Sequence, residues 1–240
     1  MIELKPLSDD DPALEFSPLL RAAQRTLEYA CDYGSIGLTT RKNFKRDFVH
    51  WSVEAFEWPG FGPQQAFQFR KVLNEYEFVP LQVIHFLLLH TRLGRHYKGE
   101  FRLTAKGRGL AESPGDLFSC IVPFFLFEVD HASYGRFGRR PVGTWDIWLN
   151  VLNVEVEDGA TERDLFQQFY GDGPNWDNDG WREIVAFSQC VTRPLAWAGL
   201  VTLQEIDGGG VSSRMCFKTP LWRSALILDT DDQVRPAVRH

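Results

Sequence analysis

The chain has 240 residues, 44% of them hydrophobic and including 19 Phe and 8 Trp, enough apolar mass for one large core or several small ones. Its formal charge of -6 excludes attraction of the whole molecule to a polyanion, so contact with nucleic acid must use a local basic patch. Four scattered cysteines, Cys31, Cys120, Cys190 and Cys216, have neither zinc-cluster nor disulfide-framework spacing and read as reduced thiols.

Residues 1–16 read as an acidic, Pro-punctuated arm, whose start runs from Met1 to Lys5-Pro6 and into Asp9-Asp10-Asp11 without the basic and apolar regions of a secretion signal. Ser17-Pro18 supplies a helix cap and a Pro at the first helical position, and Leu19, Leu20, Ala23, Leu27 and Ala30 follow at helical spacing. Gly34 and Gly37 break that helix, Ile36 and Leu38 suit a short strand, and residues 40–56 are predicted helical with Phe44, Phe48, Trp51 and Phe56 as the apolar side. Trp58-Pro59-Gly60-Phe61-Gly62-Pro63 cannot continue a helix and marks the end of a first unit, 17–58. A second unit, 63–128, is predicted to hold helices at 63–74 and 80–89, two short strands around Lys98-Gly99, and a helix starting at Thr104. A third, 144–228, is predicted to hold helical segments from Trp181 and over 194–198 that stop at Gly199. It continues with strands at 200–206 and 211–217 around Gly208-Gly209-Gly210, a helix over 220–226, and a tail, 229–240. The longest apolar runs, at 83–89 and 121–127, are too short to cross a bilayer, and a soluble cytoplasmic protein is expected.

One segment recurs three times: a short strand, a Leu-Thr or Lys-Thr step, and a basic stretch able to form a helix. The copies are Ile36-Gly37-Leu38-Thr39-Thr40-Arg41-Lys42, Phe101-Arg102-Leu103-Thr104-Ala105-Lys106-Gly107-Arg108 and Phe217-Lys218-Thr219-Pro220-Leu221-Trp222-Arg223. In each, the Thr hydroxyl is placed to cap the next helix, and internal repetition is evidence of architecture. Residues 80–112 and 181–227 resemble winged helix-turn-helix modules, and 17–56 resembles a decayed first copy. The spacing from Leu103-Thr104 to Gly107-Arg108 is similar to the helical C-terminal region of an uncharacterised bacterial family associated with a plasmid open reading frame. The resemblance implies a mainly α protein with small β-ribbons (α+β), built of tandem winged-helix-like units. Modules of this kind bind DNA or serve as protein-docking pieces.

The basic residues decide between those uses. Between positions 92 and 108, Arg92, Arg95, Lys98, Arg102, Lys106 and Arg108 face one acid, Glu100, the footprint of a phosphate-contacting wing. Arg41, Lys42, Lys45 and Arg46 occupy the matching place in the first copy, and Arg136, Arg139 and Arg140 a loop, whereas the third copy's wing lacks the set and carries Asp207. The helix before the wing, Pro80-Leu-Gln-Val-Ile-His-Phe-Leu-Leu-Leu-His90, offers base edges only Gln82, His85 and His90. An adaptor with a protein partner or self-association is therefore the leading expectation, with DNA binding through the wing as the alternative. No catalytic or metal constellation emerges and no cofactor or small-molecule ligand is expected. His85 and His90 are five apart, not the four that stacks two imidazoles on one helix face. Glu128, Asp130 and His131 suit a solvated surface better than acid-base chemistry, and the Gly171–Gly180 loop lacks the register of a calcium site. Trp145, Trp148, Trp176 and Trp181 are read as packing residues.

Overall fold

The computed structural model describes residues 2–68, 71–134, 138–171, 181–206 and 214–234. Arg136, most of the Gly171–Gly180 loop with Trp176, Asp207, the Gly208–Gly210 turn and the end of the tail therefore lie outside the described residues. The protein is mainly helical with small antiparallel sheets and divides into two compact units, Pro6–Phe125 and Met1–Lys5 with Leu126–His240. Strand β1 (Glu3–Leu4) belongs to the second of these, so the first residues are a sheet edge and not a free arm.

The N-terminal unit begins with a 3-10 turn, Pro12–Phe16, that buries Ala13 and Leu14. Helix α1 (Pro18–Asp32) starts where expected, because Ser17 Oγ accepts the Leu20 N–H at 3.1 Å and Pro18 needs no partner for a missing N–H. Its apolar stripe, Leu19, Leu20, Ala23, Leu27 and Ala30, is buried throughout. Then follow β2 (Ile36–Gly37), α2 (Arg46–Ala55), α3 (Pro63–Phe67), a 3-10 turn (Glu75–Glu77) and α4 (Val79–His90). The unit closes with β3 (Gly94–Tyr97), β4 (Glu100–Leu103), α5 (Ala105–Leu110) and α6 (Pro114–Phe127). The predicted helix over 40–56 begins only at Arg46. Thr39 Oγ1 caps a tight turn by accepting the Asn43 N–H, and Lys42 takes a left-handed φ of 65°, which a helix cannot contain. The first copy's Thr thus caps a turn and not a helix. Likewise α3 stops at Phe67, and Asn74 opens a new turn through a capping box with Glu77.

β2 pairs antiparallel with β4, Ile36 opposite Phe101, and β4 pairs with β3, giving the order β2-β4-β3. Segments 17–58 and 63–128, separate units on the sequence pattern, therefore share one sheet, with Trp58 of the intervening Pro-Gly run only 2% exposed. The β3–β4 loop has Lys98 and Gly99 at φ 49° and 77°, the paired positive angles of a type I′ turn, whose twist matches that of the strands.

The C-terminal unit repeats the same order with α7 (Trp145–Glu155), β5 (Ala160–Thr161), α8 (Glu162–Tyr170) and α9 (Trp181–Phe187). A π-turn at Ser188–Thr192 leads to α10 (Arg193–Ala198), β6 (Val201–Glu205), β7 (Arg214–Lys218), α11 (Pro220–Ala225) and β8 (Leu226–Ile227), the last pairing with β1. Its sheet order, β5-β7-β6, matches the first. A shared hydrogen-bond pattern marks the repetition. Arg92 and Gly199 each follow a helix in a left-handed conformation, closing it with Leu93 N–H to Leu88 O and Leu200 N–H to Leu195 O, both 2.9 Å. Thr104 Oγ1 donates to the carbonyls of Arg92 and Leu93 at 2.8 and 3.2 Å, and Thr219 Oγ1 to those of Gly199 and Leu200 at 2.6 and 3.2 Å. Two of the three sequence repeats thus close equivalent ribbons, and the counterpart of the Ile36 copy is Ala160–Thr161, where Thr161 caps α8.

Candidate functional site

The β3–β4 ribbon of the N-terminal unit is positioned by its apolar underside. Phe101 and Leu103 are buried, and Phe101 meets Phe44 edge-on with ring centroids 5.4 Å apart, an aromatic contact that fixes the loop before α2 against the ribbon. With the face of Phe101 and Leu103 buried, Arg95 and Arg102 point outward, directly opposite each other across the strands. Tyr97, 42% exposed, is surrounded by cations: Arg95, Lys98 and Arg102 lie 5.7, 5.4 and 5.3 Å from its ring centre.

The structure gathers part of the basic set here and disperses the rest. Lys42 and Lys45 come to the same sheet, since Lys45 N–H bonds Gly37 O and its stem covers Gly37, while its charge, with Arg102 foremost, holds the Glu100 carboxyl below its usual range. Arg41 is exposed in the preceding turn, and Arg46 reaches Asn74 Oδ1 at 3.1 Å. Arg102 pairs with Glu100 at 2.7 Å. Among the described residues Arg41, Lys42, Arg95 and Lys98 meet no carboxylate at ion-pair distance. Arg92 spends its conformation on closing α4, Lys106 donates to Thr91 O and Cys120 Sγ at 3.1 and 3.2 Å, and Arg108 to Leu103 O at 3.0 Å. These three sit beside the ribbon's base. Two opposed like-charged arginines destabilise a bare ribbon, and here Glu100 offsets the charge of Arg102.

The equivalent ribbon of the C-terminal unit uses its cations internally. Arg214 pairs at 2.7 Å with Glu162, which is 0% exposed, and Lys218 pairs with Glu157 at 2.7 Å while donating to Asn153 Oδ1 at 3.0 Å. Burial pushes the Glu162 carboxyl up, against the pull of Arg214. The two described loop arginines are also paired: Arg139 with Glu183, and Arg140 with Asp130 at 2.7 Å. His131 is buried against Trp145, with ring centroids 6.3 Å apart, so Glu128, Asp130 and His131 form no exposed acid-base cluster. Trp148 is buried and Trp181 is 47% exposed.

The helices that precede the ribbons belong to the core. Of α4, Pro80, Leu81, Val83, Ile84, His85, Leu87 and Leu88 are buried, and His90 folds back on Phe86, bonding its carbonyl at 2.8 Å. From α9 to α10, Ile184, Ala186, Phe187, Cys190, Val191, Leu195 and Ala198 are buried. Residues that sequence spacing does not single out are instead brought together: Glu75, His85 and His96 lie in hydrogen-bond contact. Among the described residues no group of three or more His, Cys, Asp or Glu is arranged to hold a metal, and no helix is long and apolar enough to cross a membrane.

Fold and site together define a two-unit α+β protein whose N-terminal unit bears an exposed cationic ribbon. The chain belongs to the Y4jL family: the Y4jL N-terminal domain matches residues 15–116 and the y4jL C-terminal domain residues 135–220, one within each compact unit. It is 34% identical over 169 residues to the uncharacterized protein y4jL of Sinorhizobium fredii (strain NBRC 101917 / NGR234), an alignment covering 70% of this chain and 76% of that protein. The likeness to an uncharacterised family therefore holds at this level, but the stretch from Leu103-Thr104 to Gly107-Arg108, likened to a C-terminal region, falls within the N-terminal domain match. No solved structure matches the chain.

Proposed function

We propose that this chain is a non-enzymatic docking protein of two winged-helix-like units, and that the N-terminal wing, β3–β4, docks on the phosphate backbone of nucleic acid without reading bases. The order of helices and strands and the sheet orders β2-β4-β3 and β5-β7-β6 support the winged-helix likeness. One observation carries the assignment of the docking face. Two equivalent ribbons both bear cations, yet one pairs them with Glu162 and Glu157 while the other leaves Arg95 and Lys98 exposed and, among the described residues, without carboxylates. Backbone docking needs cations placed on a ridge, whereas base readout needs polar groups on a helix in the groove, and α4 is spent on the core.

That same burial of α4 favours a second reading in which the partner is a protein and the wing takes an acidic segment of it. Duplex DNA titrated against the chain and an Arg95→Ala/Lys98→Ala/Arg102→Ala variant separates the two. On the nucleic-acid reading the variant binds all sequences equally more weakly, and its salt slope flattens by about 0.9 for each phosphate that the wing no longer neutralises. Equal affinity and slope in both proteins would remove the wing from the assignment.

A further inference from the structure

Beneath the wing lies a chain of titratable groups that docking does not use. Glu75 is 5% and His85 6% exposed. Glu75 Oε1 is 2.6 Å from His85 Nδ1, and His85 Nε2 is 2.8 Å from Nε2 of His96 on β3. The second Glu75 oxygen accepts the Phe44 N–H. Phe44 stacks on the His85 ring with centroids 4.0 Å apart, and Phe101 closes it edge-on at 5.7 Å. A buried carboxylate thus orients one imidazole, and that imidazole holds a second one belonging to the ribbon.

Two ring nitrogens in hydrogen-bond contact require one proton between them. With both histidines neutral, His85 Nδ1–H donates to Glu75, His96 Nε2–H donates to His85 Nε2, and His96 Nδ1 is left as an acceptor. One added proton is accommodated without breaking any bond, because either ring can hold it while a single hydrogen remains between the two Nε2 atoms. A further proton would place hydrogens on both Nε2 atoms and force the rings apart. We propose that Glu75, His85 and His96 form a proton-dependent clamp between α4 and the wing, closed while the two imidazoles share a proton and opened when each holds its own.

The surroundings set the direction. His96 is faced by His85 from α4, Glu75 from the 3-10 turn and Lys42 from the loop before α2, while β4 presents apolar Phe101 and β3 itself carries Arg95 and Tyr97. Partial burial, then His85 and Lys42, hold the His96 imidazole below its ordinary value of 6.5, with Glu75 acting the other way. The folded state therefore binds the last proton less readily than the unfolded chain. The clamp's stabilisation is complete above pH 6.5 and is lost as pH falls from there toward the lowered value. Its effect on docking rests on the wing reading, whereas the clamp does not.

The test is nitrogen-15 imidazole NMR of the full chain across acid to neutral pH, with hydrogen exchange of the β3 amides followed in parallel. The expected result is that His85 and His96 nitrogens report the same two midpoints, as coupled sites do. On acidification β3 exchange, corrected for its intrinsic pH dependence, should rise by roughly tenfold, and His96→Gln, which cannot take up the proton, should abolish that rise. Separate single midpoints for the two histidines, or β3 exchange that rises equally in His96→Gln, would overturn the clamp. Neither readout uses DNA, so failure of the docking reading would leave this test unaffected.

Discussion

Thr104→Val tests how each ribbon is fastened to the helix that follows it. The substitution keeps the side chain's shape but removes a hydroxyl that accepts the Gly107 N–H at 3.1 Å and donates to Arg92 O at 2.8 Å. Loss of the cap costs about 1 kcal/mol. The lost bond to the Arg92 carbonyl costs about 1 more, whereas Leu93 O keeps the Thr104 N–H at 3.0 Å. A helix as short as α5 (Ala105–Leu110) cannot offset that by its own propensity. The total, roughly 2 kcal/mol, corresponds to about 30-fold in an opening equilibrium. Hydrogen exchange read by mass spectrometry reports such local openings, so amides of Gly107 and Arg108 should exchange about 30-fold faster. Thr104→Ser should stay near wild type, and Thr219→Val should produce the same effect in α11. An increase below about threefold, or equal damage from the Ser variant, would refute the fastening role.

Gly94→Ala would bring a Cβ within 1.9 Å of the Phe101 ring, and should lower the stability of the N-terminal unit by about 1–3 kcal/mol in urea titration. Glu162→Ala strands Arg214, whose side chain is 16% exposed, and should cost about 3 kcal/mol, seen as earlier melting of the C-terminal unit. Burial pushes the Cys190 thiol up to about 11 and the buried Cys216 thiol further. Alkylation of the native protein at pH 8 should therefore label exposed Cys31 and leave Cys190 and Cys216 unmodified by mass spectrometry until urea is added.

What the sequence showed was local. Ser17-Pro18 before α1, Lys98-Gly99 between strands, and Gly199 after α10 carry their conformations in their own chemistry, and the structure has them in those roles. The 40–56 segment misled because Phe44 and Phe48 are spaced like one helix face, yet Phe44 is buried from a loop by stacking on His85. Nor could spacing show that Ile36 pairs with Phe101, a contact between residues far apart in the chain that merges two apparent units into one. The same pairing brings Lys42 and Lys45 to the ribbon of Arg95. His85 and His96 are joined only by the packing of α4 under β3. A carboxylate at the start of a turn ten residues before a buried-helix His was the one local signal, and it is too common to single out.

The proposed docking role of the exposed cationic ribbon is tested most directly by fluorescence anisotropy of the full chain against random-sequence duplex DNA at low and near-physiological salt. Binding is expected at low salt, weakening steeply as salt rises and showing no preference among sequences. No binding even at low salt would contradict a phosphate-docking wing.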